Sequence, residues 1–123
     1  MEHKTVIRER RRGPRTTKPV ECVILTEDSD GNLKGKTKDL SCVGANCKFN
    51  KHIPEMTRLR LTLELEEGNQ TFEGMVVRCD KIKDNHFETA IYFTNIDLAA
   101  RKSIDQFVRG KKSSNIQEFT IDG

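Results

Sequence analysis

Arg11 and Arg15 stand four residues apart in the run Arg11-Arg12-Gly13-Pro14-Arg15, and Asp39, Ser41 and Gly44 follow in the run Asp39-Leu40-Ser41-Cys42-Val43-Gly44. A guanidinium is a rigid planar fork of donors, so it meets a phosphate, or the O6/N7 edge of guanine, at two points. A carboxylate is the complement, an acceptor for the ring and exocyclic N–H groups of the same base. A ligand carrying both phosphates and guanines would satisfy the whole set. Arg10 stands directly ahead of Arg11 and carries the same planar fork.

Taken singly, each stretch reads as a solvated charge run or a strand end with a turn. In this order and at this separation they resemble the paired signatures of the PilZ domain family, Arg-x-x-x-Arg and Asp/Asn-x-Ser-x-x-Gly. The resemblance continues through HFETAIYFTNIDLAARKSIDQFV, residues 86–108, and covers residues 8–109. It implies an all-β fold: a six-stranded antiparallel PilZ-type β-barrel with one C-terminal α-helix. It further implies a receptor for the bacterial second messenger cyclic di-GMP, not an enzyme, needing no cofactor besides that ligand. By the same resemblance Arg11 and Arg15 grip phosphate and guanine, and Asp39, Ser41 and Gly44 form the barrel side of the pocket. Arg10 serves a second guanine, which implies two messenger molecules per chain. With no output domain read in the sequence, the signal is expected to pass through an effector protein, whose identity the residues do not reveal, or else the chain is a simple messenger sink.

The elements that must hold these groups are legible in the pattern of apolar residues. Leu59, Leu61, Leu63 and Leu65 alternate with Arg58, Arg60, Thr62 and Glu64, a period that suits a half-buried strand. Further strands are expected at Val20–Thr26, Lys36–Ser41, Ala45–Phe49, Gln70–Cys79 and His86–Phe93, with turns at Asp30-Gly31-Asn32, Glu67-Gly68-Asn69 and Asp84-Asn85. Short antiparallel strands at such close spacing suit a barrel. Asp97 is expected to cap a helix closing at Gly110, with Ala100, Ile104, Phe107 and Val108 on the face that covers the barrel. Alternation along the strand puts Asp39 and Ser41 on one surface and Leu40 in the core. Gly13 and Pro14 disfavour helix, so residues 1–18 are expected to be a mobile basic arm ahead of the barrel and helix of residues 19–110, with a polar tail at 111–123.

Charge and composition narrow the alternatives. Residues 1–20 hold seven Lys/Arg against two Asp/Glu while the whole chain carries only +3, so the body beyond the arm leans acidic. That distribution favours a local anion site over a broad nucleic-acid face. The rival reading, a nucleic-acid-binding β-barrel using the arm on phosphates, lacks the exposed stacking aromatics of single-strand binders, since the chain has no Trp and one Tyr. No apolar run reaches the ~20 residues of a membrane span and the N-terminus has no apolar signal region, so a cytoplasmic protein without membrane insertion is expected. Cys22, Cys42, Cys47 and Cys79 lie in or beside apolar runs without Cys-x-x-Cys spacing and read as reduced thiols; a zinc site from Cys42, Cys47, His52 and His86 lacks ligand spacing. The segment Gly31-Asn32-Leu33-Lys34-Gly35-Lys36-Thr37 imitates a phosphate-binding P-loop, but its glycine spacing is short and a strand follows it. Ser41 lacks a Gly-x-Ser-x-Gly elbow, and no histidine is spaced to serve it as a base.

Overall fold

The computed structural model describes residues 14–26 and 31–110, so Arg10, Arg11 and the tail from residue 111 lie outside the described residues. The elements run β1 (Arg15–Thr16), β2 (Glu21–Thr26), β3 (Asn32–Ser41), β4 (Gly44–Phe49), β5 (Arg58–Leu65), β6 (Gly68–Lys83), β7 (His86–Asn95) and α1 (Leu98–Val108). All strand pairs are antiparallel. Strands β2 to β7 join in the order β3-β2-β5-β6-β7-β4, and β4 returns to β3, which closes a six-stranded barrel. Closure removes the open edges that an antiparallel sheet would otherwise present.

The barrel is filled by one face of each strand. Leu59, Leu61, Leu63 and Leu65 are all buried, together with Cys22, Ile24, Leu40, Cys47, Phe72, Val76, Ile91 and Phe93. Phe72 and Phe93 meet edge to face, their ring centroids 4.6 Å apart, an arrangement that places a ring edge against the electron-rich face of its neighbour. Helix α1 closes the barrel by burying Ala100 and Ile104, with Phe107 and Val108 packed against the same core. The Asp97 carboxylate accepts from the Ala100 N–H at 2.8 Å, a cap worth about 1 kcal/mol. The last helical residue is Val108, Arg109 is the C-cap, and Gly110 follows at φ 77°, the left-handed turn that ends many helices.

The strands differ from the expected pattern chiefly in three places. The arm was expected to stay irregular through residue 18, yet Arg15–Thr16 is a strand, pairing Arg15 with Ser41 and Thr16 with Leu40. The reason lies in β3, whose first half, Asn32–Lys36, pairs with β2 and whose last residues would otherwise lack a partner on that side. Extended backbone after Pro14 fills the gap. Strand β3 also begins at Asn32, ahead of the expected Lys36, and carries a bulge: Thr37 pairs with Cys47 and Asp39 with Asn46, leaving Lys38 as the extra residue. Thr37, inward in step with Leu33 and Gly35, is buried, and its hydroxyl accepts from the Val20 N–H at 2.9 Å while its own N–H donates to the Val20 carbonyl at 2.9 Å. Finally, β6 runs on to Lys83, beyond the expected Cys79, as an exposed hairpin with β7 around Asp84-Asn85, where Asn85 adopts φ 62°.

All four cysteines are free thiols, with Cys22 and Cys47 in the core. A hydrogen bond that the Cys47 thiol makes to Cys22, and then burial, raise the Cys47 thiol well above its ordinary pKa, so it stays protonated at neutral pH. Cys47 is thus a packing group, separated from His86, which is exposed and bonded to the Asp84 carbonyl at 2.8 Å. Among the described residues no three His, Cys, Asp or Glu side chains gather as metal ligands, and no helix is long and apolar enough to cross a membrane.

Candidate functional site

The register of β1 on β3 brings two of the sequence-predicted residues together. Arg15 sits opposite Ser41 and hence diagonal to Asp39, within reach of a long side chain. Its Nε donates to Asp39 Oδ1 at 3.1 Å and its Nη2 lies 2.7 Å from Oδ2, a two-point fork. The bulge at Lys38 decides this meeting. Counting strictly from buried Thr37 would turn Asp39 inward and Leu40 outward; the extra residue resets the count, so Leu40 is fully buried and Asp39 faces out. Arg15 and Asp39 side chains are 55% and 25% exposed, and a pair so open to water contributes only about 0–1 kcal/mol to stability. The pair is therefore a minor term in folding and stays accessible from solvent.

Ser41 is placed differently from expectation. It is buried, not on the surface beside Asp39, because Arg15 covers it from across β1 and the chain bends away at Cys42-Val43. Its hydroxyl accepts from the Val43 N–H at 3.2 Å and faces the Gly44 carbonyl at 3.4 Å, so it shapes the turn that leads from β3 into β4. Gly44 is required by the sheet itself. A Cβ there would lie 2.6 Å from the Ile91 carbonyl oxygen of β7, a backbone atom that cannot rotate away. Of the six expected site residues, then, Arg15 and Asp39 form the exposed fork, Ser41 and Gly44 build the turn beneath it, and Arg10 and Arg11 lie outside the described residues.

The barrel wall beyond Asp39 adds groups that the motifs did not name. Asp39 pairs with Asn46 on β4, Asn46 with Ala90 on β7, and Ala90 with Arg78 on β6. In the next outward row Gly44 pairs with Tyr92, which is 54% exposed and, among the described residues, the exposed one of the Phe and Tyr rings. Alternation through β4 already turned Asn46 outward, but only cross-strand register could seat it beside Asp39. An open groove of about 650 Å³ lies apart from the motif residues, between β2, β5, β6 and β7, lined by Leu25, Arg58, Arg60 and Glu73 among others. We centre the candidate site on the fork, because Arg15 and Asp39 belong to the motifs and none of the motif residues lines the groove.

The sequence matches the family model described as "PilZ domain" over residues 9–110. No curated protein matches the chain. Among solved structures, the Bacillus subtilis inhibitor of motility MotI/DgrA is similar with a TM-score of 0.67 at 18% identity, over 80% of this chain and 49% of that one; this chain thus spans about half its length. The PilZ domain of YcgR from Escherichia coli, determined with c-di-GMP, is similar with a TM-score of 0.65 at 15% identity, over 90% of this chain and 98% of that one. The PilZ domain of CeSA from a cellulose-synthesizing bacterium gives a TM-score of 0.58 at 18% identity, over 78% and 95%. At these identities the likeness establishes the shared fold.

Proposed function

The chain belongs to the PilZ domain family, and from that membership we propose that it is a non-enzymatic receptor for cyclic di-GMP that signals by contact with an effector protein. The observation that carries the reading is the Arg15–Asp39 fork, held by β1 and β3 on the open face of the barrel wall. Guanine offers acceptors at O6 and N7 to the arginine and donors at N1 and N2 to the carboxylate, so one base satisfies both halves of the pair. Arg11 takes a messenger phosphate and Arg10 a second guanine. The similar YcgR domain, determined with c-di-GMP, supports the ligand class. A cytoplasmic location accords with a bacterial nucleotide messenger.

Titration calorimetry of the intact chain is the direct test. Heat of binding at micromolar cyclic di-GMP is expected, with a ratio near two ligands per chain that falls toward one in Arg10→Ala. No heat at high micromolar ligand overturns the receptor reading. Equal binding to random oligonucleotides with a steep loss on adding salt supports the phosphate-tracking rival instead.

Signalling follows from where the arginines sit. Arg15 is already fixed on β3, whereas Arg10 and Arg11 precede it by a few residues in a stretch rich in positive charge. A ligand held by Arg15 and Asp39 draws Arg10 and Arg11 onto the barrel and creates a composite surface for the effector. By linkage, the effector then tightens messenger binding by the same factor. Hydrogen exchange across residues 5–18 is expected to slow on saturation with cyclic di-GMP, chiefly ahead of Arg15; equal protection with and without ligand rules out this ordering step.

A further inference from the structure

Asn46 Oδ1 is, among the described residues, the buried side-chain polar atom with no hydrogen-bond partner. A buried acceptor left without a donor is costly, and the great majority find one. Asn46 stands directly across from Asp39, at an outward position of β4 between buried Ala45 and Cys47. Ion pairs flank it on both sides. Arg15–Asp39 lies toward β1, and Lys38–Glu88 joins β3 to β7 and so spans β4, passing between Asn46 and Lys48. An amide oxygen in this position has lone pairs to offer and lacks a donor, while its neighbour Asp39 is already engaged by Arg15.

We propose that Asn46 is a specificity-determining residue of the messenger site, its Oδ1 accepting from the exocyclic 2-amino group of the guanine that Asp39 binds. The inference rests on the receptor reading above and deepens it. Guanine presents N1–H and one N2–H along the edge that a carboxylate takes, and its second N2–H diverges from them. Cβ atoms of directly opposed residues on neighbouring strands lie about 4.5–5.5 Å apart, so acceptors at Asp39 and Asn46 suit the two diverging hydrogens of one amino group. When the base displaces Asp39 from Arg15, that side of Asn46 opens and its oxygen gains the donor it lacks. Adenine has no 2-amino group, so a cyclic dinucleotide of adenine leaves Asn46 unsatisfied and is rejected.

The test compares cyclic di-GMP with its hypoxanthine analogue, which lacks only the 2-amino group, on the full chain by calorimetry. Wild type is expected to prefer cyclic di-GMP, and in Asn46→Leu, which keeps the volume and loses the acceptor, that preference shrinks by about tenfold, the worth of one hydrogen bond. Asn46→Asp keeps an acceptor and retains the preference. An unchanged preference in Asn46→Leu, even with weaker overall binding, makes Asn46 merely structural and overturns the proposal. A wild type that binds both ligands equally overturns it without recourse to any variant. A wild type that binds neither removes the receptor reading as well, so the two failures are distinct.

Discussion

Replacing Arg15 by Ala weakens cyclic di-GMP binding by about 1–3 kcal/mol, the usual worth of a bidentate arginine on guanine, while the urea midpoint of the free protein hardly moves. The separation of the two effects follows from exposure: a pair open to water contributes little to folding, whereas the proposed contact with guanine depends on the fork. Asp39→Ala loses a similar amount by leaving guanine donors unpaired. Because the two residues contact each other as well as the ligand, the double variant loses less than the two single losses together. Arg15→Lys keeps the charge and loses the fork, so it binds nearly as weakly as Arg15→Ala. Equal affinities for wild type and Arg15→Ala would remove this pair from the site.

Gly44→Ala is expected to behave in the opposite way. Its Cβ falls 2.6 Å from the Ile91 carbonyl oxygen and 3.7 Å from the Tyr92 Cα, so β4 must move away from β7 to admit it. Overpacking against backbone costs about 1–3 kcal/mol, and it appears in the free protein as a lowered urea midpoint. The motif glycine is therefore a condition for the barrel at the site's edge before it is anything to the ligand. Undiminished stability together with lost affinity would assign it instead to ligand contact.

Local rules carried much of the fold. The alternation around Leu61, the Asp97 cap and the spacing of Ala100 and Ile104 are properties of a few neighbouring residues, and each stands in the structure as the pattern implies. What alternation could not reveal is relational. Two residues, Arg15 and Thr16, have no period to detect, and their pairing depends on where β2 leaves β3. The bulge at Lys38 has no residue signature of its own, and it is what turns Asp39 outward and Leu40 inward after buried Thr37. Ser41 is buried because Arg15 lies across it and the chain turns at Cys42-Val43, neither of which alternation registers. The residues around Lys81 and Ile82 are exposed on a hairpin that projects past the core, so no apolar stripe marks that part of β6. Asn46 and Tyr92 became site neighbours only through the registers of β4 with β3 and β7.

The extra residue at Lys38 also divides β3 into two modules. Upstream of it, Asn32–Lys36 is barrel wall in register with β2; downstream, Asp39 and Leu40 take their register from β4 and β1. A regular strand transmits any one-residue length change along its whole course and exchanges its two faces. A bulge absorbs such a change where it stands. Removing Lys38 would leave Thr37 and Leu40 inward and Asp39 outward, whereas removing a residue between Asp39 and Ser41 would leave no slack to absorb the shift. Insertions and deletions in the loop and wall are thereby insulated from the motif half of β3, and that half is free to change while the wall keeps its register.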